Sequence, residues 1–291
     1  MLNVVYSATR QWNCGDEFIL FGCRNLLEKV LGGHNPIIYN RNPDIRRLSR
    51  INMEQFVRFG GGYPARLNDN SVKPDSDLSF ADLACFAGSP EWWNELCDVF
   101  YQRIISASLP SLFLGLGTAP ESLPEFKQEV LDHSIAVTVR DPALLSSPVF
   151  KKVNAQYIPC PALMSAKSGT EKHIRSVTRI GLVFMVGPKD SVPNNCAPDI
   201  HGESLYYADL FLHIIERFGN DYEFVVICHY IDELAVANRL FGGLRGVRIC
   251  YSFDAMDYFE IYRQCDLTVS TRVHGCGISS SLGIPSFILS P

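Results

Sequence analysis

An arginine and a histidine two positions apart, at the end of a β-branched run, are the residues of this sequence best equipped for chemistry. The run from Leu267 through Ser270 reads as a strand that releases Arg272 and His274 on the same side of a short turn. Gly275, with Ser279, Ser280 and Ser281, then opens a helix of small residues that lets the backbone stay close to a ligand and to the sheet. Arginine offers a planar fork for a carboxylate or phosphate. His274, beside a cation and at a helix N-terminus, should stay neutral until an anion arrives, which suits proton transfer. Ser270, Arg272 and Gly275 therefore read as an anion site, with His274 as its acid or base.

Other strand ends carry weaker signals. Asn13, Gly15 and Asp16 lead into the first helix, where free N–H groups and the positive end of the helix dipole suit an anion, although a capped helix with no ligand fits them equally well. Gly60 to Gly62, Gly88, and Gly115 with Gly117 follow further strands. A third glycine of the dinucleotide fingerprint is missing, and no Gly-Lys-Ser/Thr follows Gly62. Arg140, Asp141 and Pro142 end another strand; if Asp141 caps the helix that Pro142 begins, Arg140 is the ligand candidate, and a local Arg140 to Asp141 ion pair is the alternative. His229 also stands at a strand end, where a lone histidine more often packs or caps than reacts. Trp92 and Trp93 could stack on a sugar ring, or simply fill the core. Asp75 and Asp77 imitate a metal-binding pair but follow Lys73 and Pro74 rather than a strand, so they read as a solvated loop and no metal site is expected.

The elements that must position these residues form an alternation of short β-rich runs and helix-length amphipathic segments, the pattern of parallel sheets covered by helices. Strands are predicted over 3–7, 37–40, 55–59, 83–87, 111–116 and 135–139. In the second half they are predicted over 180–186, 224–229, 247–251, 267–270 and 286–289. The clearest helix is 16–31, with Asp16 and Glu17 in its first turn and Gly32 and Gly33 after its end. The stretch 158–172 reads as a boundary between an N-terminal domain, 1–168, and a C-terminal domain, 169–291. Residues 187–202 form a long loop or lid. Two such α/β domains would turn their strand C-terminal ends toward a shared cleft, where sheets of this kind bind ligands.

Composition narrows the class. A chain of 291 residues with a net charge of −5 suits two domains and lacks the basic excess of a general nucleic-acid binder. The ten cysteines are irregularly spaced, several within apolar runs, with no CxxC pair and no zinc spacing, so reduced thiols and a cytoplasmic location are expected. The sequence has neither a signal-peptide pattern nor a run of the roughly 20 apolar residues that a membrane span requires. It stops at Pro291, directly after a predicted strand, so a C-terminal domain shortened relative to its architecture is a further expectation.

These motifs together resemble the polysaccharide pyruvyl transferase family over nearly the whole chain. The likeness rests on 13–17, Gly60 to Gly62, Gly115 with Gly117, Val139 to Asp141, 158–163, and above all Ser270 to Gly275 with Gly283 to Pro285. It implies two Rossmann-like domains in an arrangement similar to glycosyltransferase-B enzymes. It also implies transfer of a pyruvyl group from phosphoenolpyruvate, a co-substrate, to two hydroxyls of a saccharide that is free or lipid-linked, with no further cofactor. Arg272 and His274 match the family's donor-site arginine and histidine, and Arg140 a second donor arginine; His229 or Asp16 is then a candidate base. Two rivals remain. A nucleotide-sugar glycosyltransferase of the same architecture would usually carry an acid in its last Gly-x-Pro helix, and Gly275 to Leu282 has none. A non-catalytic saccharide- or anion-binding relative is the other.

Overall fold

The first strand, β1 (Leu2–Ala8), is buried from Val4 to Ala8 on both faces, as a central parallel strand requires, and it organises everything around it. In the computed structural model, which describes residues 1–10, 13–41, 71–72, 76–88, 91–92, 95–185 and 200–289, β1 pairs in parallel with β2 (His34–Asn40) on one side. On the other side it pairs with β4 (Leu83–Phe86). Adding β3 (Ser71–Val72), β5 (Ser111–Leu116), β6 (Ala136–Val139) and β7 (Ala155–Tyr157) gives a parallel sheet of order β3-β2-β1-β4-β5-β6-β7. The helices α1 (Cys14–Leu31), α2 (Glu95–Ser106) and α3 (Glu125–Asp132) connect its strands. One face of this sheet is unusually aromatic: the Phe86 and Phe113 rings stack at 4.1 Å, and Trp92 lies over Phe113 at 6.0 Å. Fully burying side chains of this size stabilises the fold by about 1.5–3 kcal/mol each.

The second sheet repeats the logic with the order β10-β9-β8-β11-β12, again all parallel. Its elements are β8 (Arg179–Phe184), α4 (Ile200–Phe218), β9 (Glu223–Cys228), α5 (Ile231–Phe241), β10 (Val247–Cys250), α6 (Ala255–Arg263), β11 (Leu267–Ser270), α7 (Val273–Ser281) and β12 (Ser286–Ile288). Its core is built on Phe184, Phe211, Phe224 and Phe241, all essentially inaccessible. The described residues within 1–10, 16–41 and 71–167 pack as one compact unit, and those within 13–15 and 168–289 pack as the other.

In each sheet the strand order reverses direction once. The reversal falls between β1 and β4 in the first unit and between β8 and β11 in the second. Ligands of open parallel sheets bind beyond the C-terminal ends of strands at such points. Arg272 and His274 follow β11 directly, so the second unit's switch point carries the residue pair singled out by the sequence.

Several expectations shift. The helix expected from Gly275 begins at Val273, so His274 stands inside its first turn, and the helix expected from Asp16 begins at Cys14, so Gly15 is helical too. A local hydrogen bond sets the first shift, because Ser270 Oγ accepts from Arg272 N at 3.0 Å and donates to Arg272 O at 2.7 Å, turning the chain at once after β11. The strand β7 was not anticipated; it is three residues long, and Tyr157 on it is half exposed, so it lacks an apolar pattern. The strand expected over 55–59, the glycines 60–62, Asp75, and most of the loop 187–202 lie outside the described residues. The nine described cysteines are free thiols. Among the described residues no helix is long and apolar enough to cross a membrane.

Asp266, at the start of β11, fastens the second sheet. Its carboxylate accepts from Lys172 Nζ at 2.7 Å, from Thr178 N and Oγ1 at 2.9 and 2.8 Å, and from Arg179 N at 3.0 Å. Burial alone would raise its pKa, but these four donors outweigh it and hold the carboxyl well below the usual range. A depressed folded-state pKa gives stability that is complete above the unfolded value near 4 and is lost as pH falls through the folded one. Asp266→Asn should therefore unfold more easily than wild type at pH 5 to 8, by about 2 kcal/mol. The gap should narrow below about pH 4; urea titrations over pH 3 to 8 measure it.

Candidate active site

In the second unit, β11 ends beside a cluster of buried charge. Arg272 is only 8 % exposed, Glu233 is fully buried, and Arg272 Nη2 donates to Glu233 Oε1 as an ion pair. The guanidinium also lies over the Tyr230 ring, 4.7 Å from its centroid. Glu233 belongs to the first turn of α5, and its other oxygen accepts from His229 N at 2.7 Å and Tyr230 N at 3.0 Å. Burial raises the Glu233 pKa, while Arg272 and the two amide donors pull it back. Arg272 Nε is buried and has no hydrogen-bond partner among the described residues.

His229 is 2 % exposed and shares a 2.8 Å hydrogen bond through Nε2 with the Tyr262 hydroxyl. Burial, then the charges of Arg272 and His274, hold its pKa well below that of a free imidazole, so it is neutral at physiological pH. It is thus a packed, hydrogen-bonded histidine close enough to sense the site's charges. His274 is half-buried in the first turn of α7. Gly15, whose amide donates to Asn13 Oδ1 at 3.0 Å, packs so tightly on the imidazole of His274 that a methyl group there would overlap the ring. Gly275 is equally tight against Ser270 Oγ and Val183, which keeps α7 against the strand it follows. Asn13, Gly15, His229, Ser270, Arg272, His274 and Gly275 are therefore neighbours in the second unit.

The first unit holds the remaining candidates. Arg140 follows β6 and Gly117 follows β5, and the guanidinium lies against the Gly117 backbone where a side chain would otherwise stand. Arg140 Nη1 also points to Cys160 Sγ at 3.6 Å. Asp141 accepts from Ala143 N at 2.9 Å and caps a 3-10 turn, Pro142–Ser146, the structural role foreseen for it. Asp16, 9 % exposed, accepts from Thr9 Oγ1 at 2.6 Å. Of the two roles open to Trp92 the structure gives the core one and not the sugar-stacking one: it is 5 % exposed, packs over Phe113, and gives its indole N–H to Thr118 O at 2.9 Å. Trp93 lies outside the described residues. Asp77 is exposed and accepts from Ser79 N and Oγ in a local turn, as a solvated loop would.

Sequence reading missed Glu233 and Tyr230. A signal existed, since a glutamate three residues into a helix commonly reaches back to the N-terminal amides; nothing in the sequence shows that the same carboxylate also meets Arg272. Two substitutions test the close approaches. Gly15→Ala should displace the His274 imidazole, and Gly117→Ala the Arg140 guanidinium, each with little loss of thermal stability. Crystal structures of the two variants are the measurement, and an unmoved ring or guanidinium would refute the packing described.

No curated protein sequence matches the chain. Several solved structures share its fold. One from Listeria monocytogenes, assigned as a UDP-N-acetylglucosamine 2-epimerase, is 11 % identical with a TM-score of 0.56, over 99 % of this chain and 79 % of that one. The UDP-GlcNAc 2-epimerase from Neisseria meningitidis, bound to UDP-GlcNAc, is 11 % identical with a TM-score of 0.54, over 99 % and 82 %. S. aureus MnaA in its UDP co-structure is 12 % identical with a TM-score of 0.53, over 99 % and 79 %. At such identities the likeness concerns the fold, two Rossmann-like α/β units, and not the chemistry. The family profile for polysaccharide pyruvyl transferase, in contrast, matches residues 13–291, from Asn13 before α1 through the Arg272 and His274 pair to the last residue, and the chain belongs to that family.

Proposed function

We propose that the protein transfers a pyruvyl group from phosphoenolpyruvate to two hydroxyls of a saccharide, forming a cyclic ketal and releasing phosphate. The observation that carries this reading is Arg272, a buried guanidinium with its Nε donor still unpaired, two positions from His274 at the switch point of a parallel sheet. The donor has a carboxylate and a phosphate, and arginine is the side chain suited to both. Arg272 binds one anionic group, and Arg140 is the second donor arginine in this reading.

The reaction needs an acid before it needs a base. A proton delivered to C3 of the enol makes C2 electrophilic, and the first saccharide hydroxyl forms the C2–O bond. The C2–O bond to phosphate then breaks, and the second hydroxyl closes the ring. Two hydroxyl protons are given up; one balances the proton gained at C3 and the other leaves on phosphate. His274, half-buried and fixed by Gly15, is the group assigned to deliver the first proton. Arg272 stabilises the charge that develops on the anion it holds. Asp16 and His229 are the candidates for receiving a hydroxyl proton.

A nucleotide-sugar reading has one point in its favour, the fold shared with structures that hold UDP or UDP-GlcNAc. Against it, α7 has no acid to hold a ribose. Thermal-shift titration with phosphoenolpyruvate and with UDP-sugars separates the two, and stabilisation by the nucleotide alone would overturn the pyruvyl reading. In a phosphate-release assay with phosphoenolpyruvate and a panel of glycans, His274→Ala should lose about 100-fold or more in kcat. A variant that releases phosphate at the wild-type rate would remove His274 from the acid role.

A further inference from the structure

Arg272 is held in an unusual way. An arginine and a carboxylate usually meet through two parallel hydrogen bonds. Here Glu233 offers Arg272 a single oxygen, because its other oxygen is committed to the amides of His229 and Tyr230 at the start of α5. Tyr230 closes one face of the guanidinium, and Ser270 Oγ fixes the backbone of Arg272 on both its N–H and its carbonyl. The Nε donor is left buried and unpaired among the described residues. A buried donor without a partner ordinarily destabilises a fold, and natural proteins keep few of them.

We propose that Glu233 is the positioning residue of the donor site: it anchors Arg272 through one nitrogen against the Tyr230 ring and so holds the remaining guanidinium donors for a carboxylate or phosphate oxygen of the ligand. This rests on the reading of Arg272 as a donor-binding residue. Glu233 touches no ligand itself. Its work is geometric and electrostatic: it fixes the plane of the fork and compensates a charge that would otherwise sit alone in a buried place. It also links three positions to one carboxylate, since the strand end that carries His229, the backbone of Tyr230 and the guanidinium all bind it. A ligand anion that bonds Nε would complete the hydrogen bonding of Arg272.

Glu233→Gln is the informative change. Glutamine has the same shape but only one acceptor, so it can satisfy either Arg272 or the two amides, and its NH2 group faces donors on the other side. We expect KM for phosphoenolpyruvate to rise about ten- to hundredfold with a smaller change in kcat, since a displaced fork weakens binding before it alters chemistry. Calorimetric titration with phosphoenolpyruvate and with inorganic phosphate should show the same loss of affinity. In an Arg272→Lys background, Glu233→Gln should add little, because the two residues act as one unit. A role confined to holding α5 together would lower the melting temperature and leave anion affinity per folded molecule unchanged, and that result overturns the proposal; so does full additivity of the two substitutions. If Glu233→Gln does not fold, Tyr230→Leu, which removes the ring without removing a charge, should weaken anion binding in the same direction, and unchanged binding there counts equally against it. Wild-type protein that binds phosphate or phosphoenolpyruvate without turnover sinks the pyruvyl reading alone and leaves Glu233 to be judged on affinity. Wild type that binds neither anion overturns both.

Discussion

A guanidinium only 8 % exposed, with a single carboxylate oxygen to pair it, is the constraint around which the second unit is built. Taking such a charge out of water is tolerable only when a partner of opposite sign is already in place and itself hydrogen-bonded. Glu233 meets both conditions, because α5 begins where β9 ends and its first-turn carboxylate takes two main-chain amides as well as Arg272. The ring of Tyr230 and the hydroxyl of Ser270 then leave the side chain little freedom. Breaking such a pair from one side would cost about 3–5 kcal/mol.

Sheet topology puts that pair where it can matter. Parallel strands buried on both faces send their polar residues beyond the C-terminal ends, and the reversal of strand order opens space there. In the second unit the ends of β9 and β11 deliver His229 and Arg272, while Gly275 and Ser270 keep α7 close enough to the sheet for His274 to stand beside them in its first turn. The first unit solves a related problem differently. Ser7, near the end of β1, and Arg41, just after β2, both bond the fully buried Glu91, and Arg10 pairs with Glu17 on α1, so these buried charges are matched within the unit.

The two histidines near Arg272 illustrate how environment divides roles between like residues. His229 is sealed, bonded to Tyr262, and kept neutral by burial and by the neighbouring charges. His274 is half-buried on a helix start, held by contact with Gly15 rather than by complete enclosure. Spacing in the sequence singled out both, and only their surroundings distinguish the sealed imidazole from the partly open one.

What the sequence determined by itself was everything that depends on local periodicity and on residue type at a strand end. The alternation of apolar runs and amphipathic segments was enough for parallel α/β architecture. The motifs at 13–17, Val139 to Asp141 and Ser270 to Gly275, with Gly283 to Pro285, were enough for the family, since a motif is a pattern of residue types along the chain. What tertiary structure decided was every contact between residues far apart in the chain. Trp92 became core because Phe113 and Thr118 O, distant from it in sequence, are adjacent to it in space. Helix α7 started early because Ser270 bonds across to Arg272, and Glu233 acquired its second partner 39 positions later in the chain. Periodicity is a property of neighbours along the chain, whereas the pairing of a buried charge is fixed only when folding brings its partner to it.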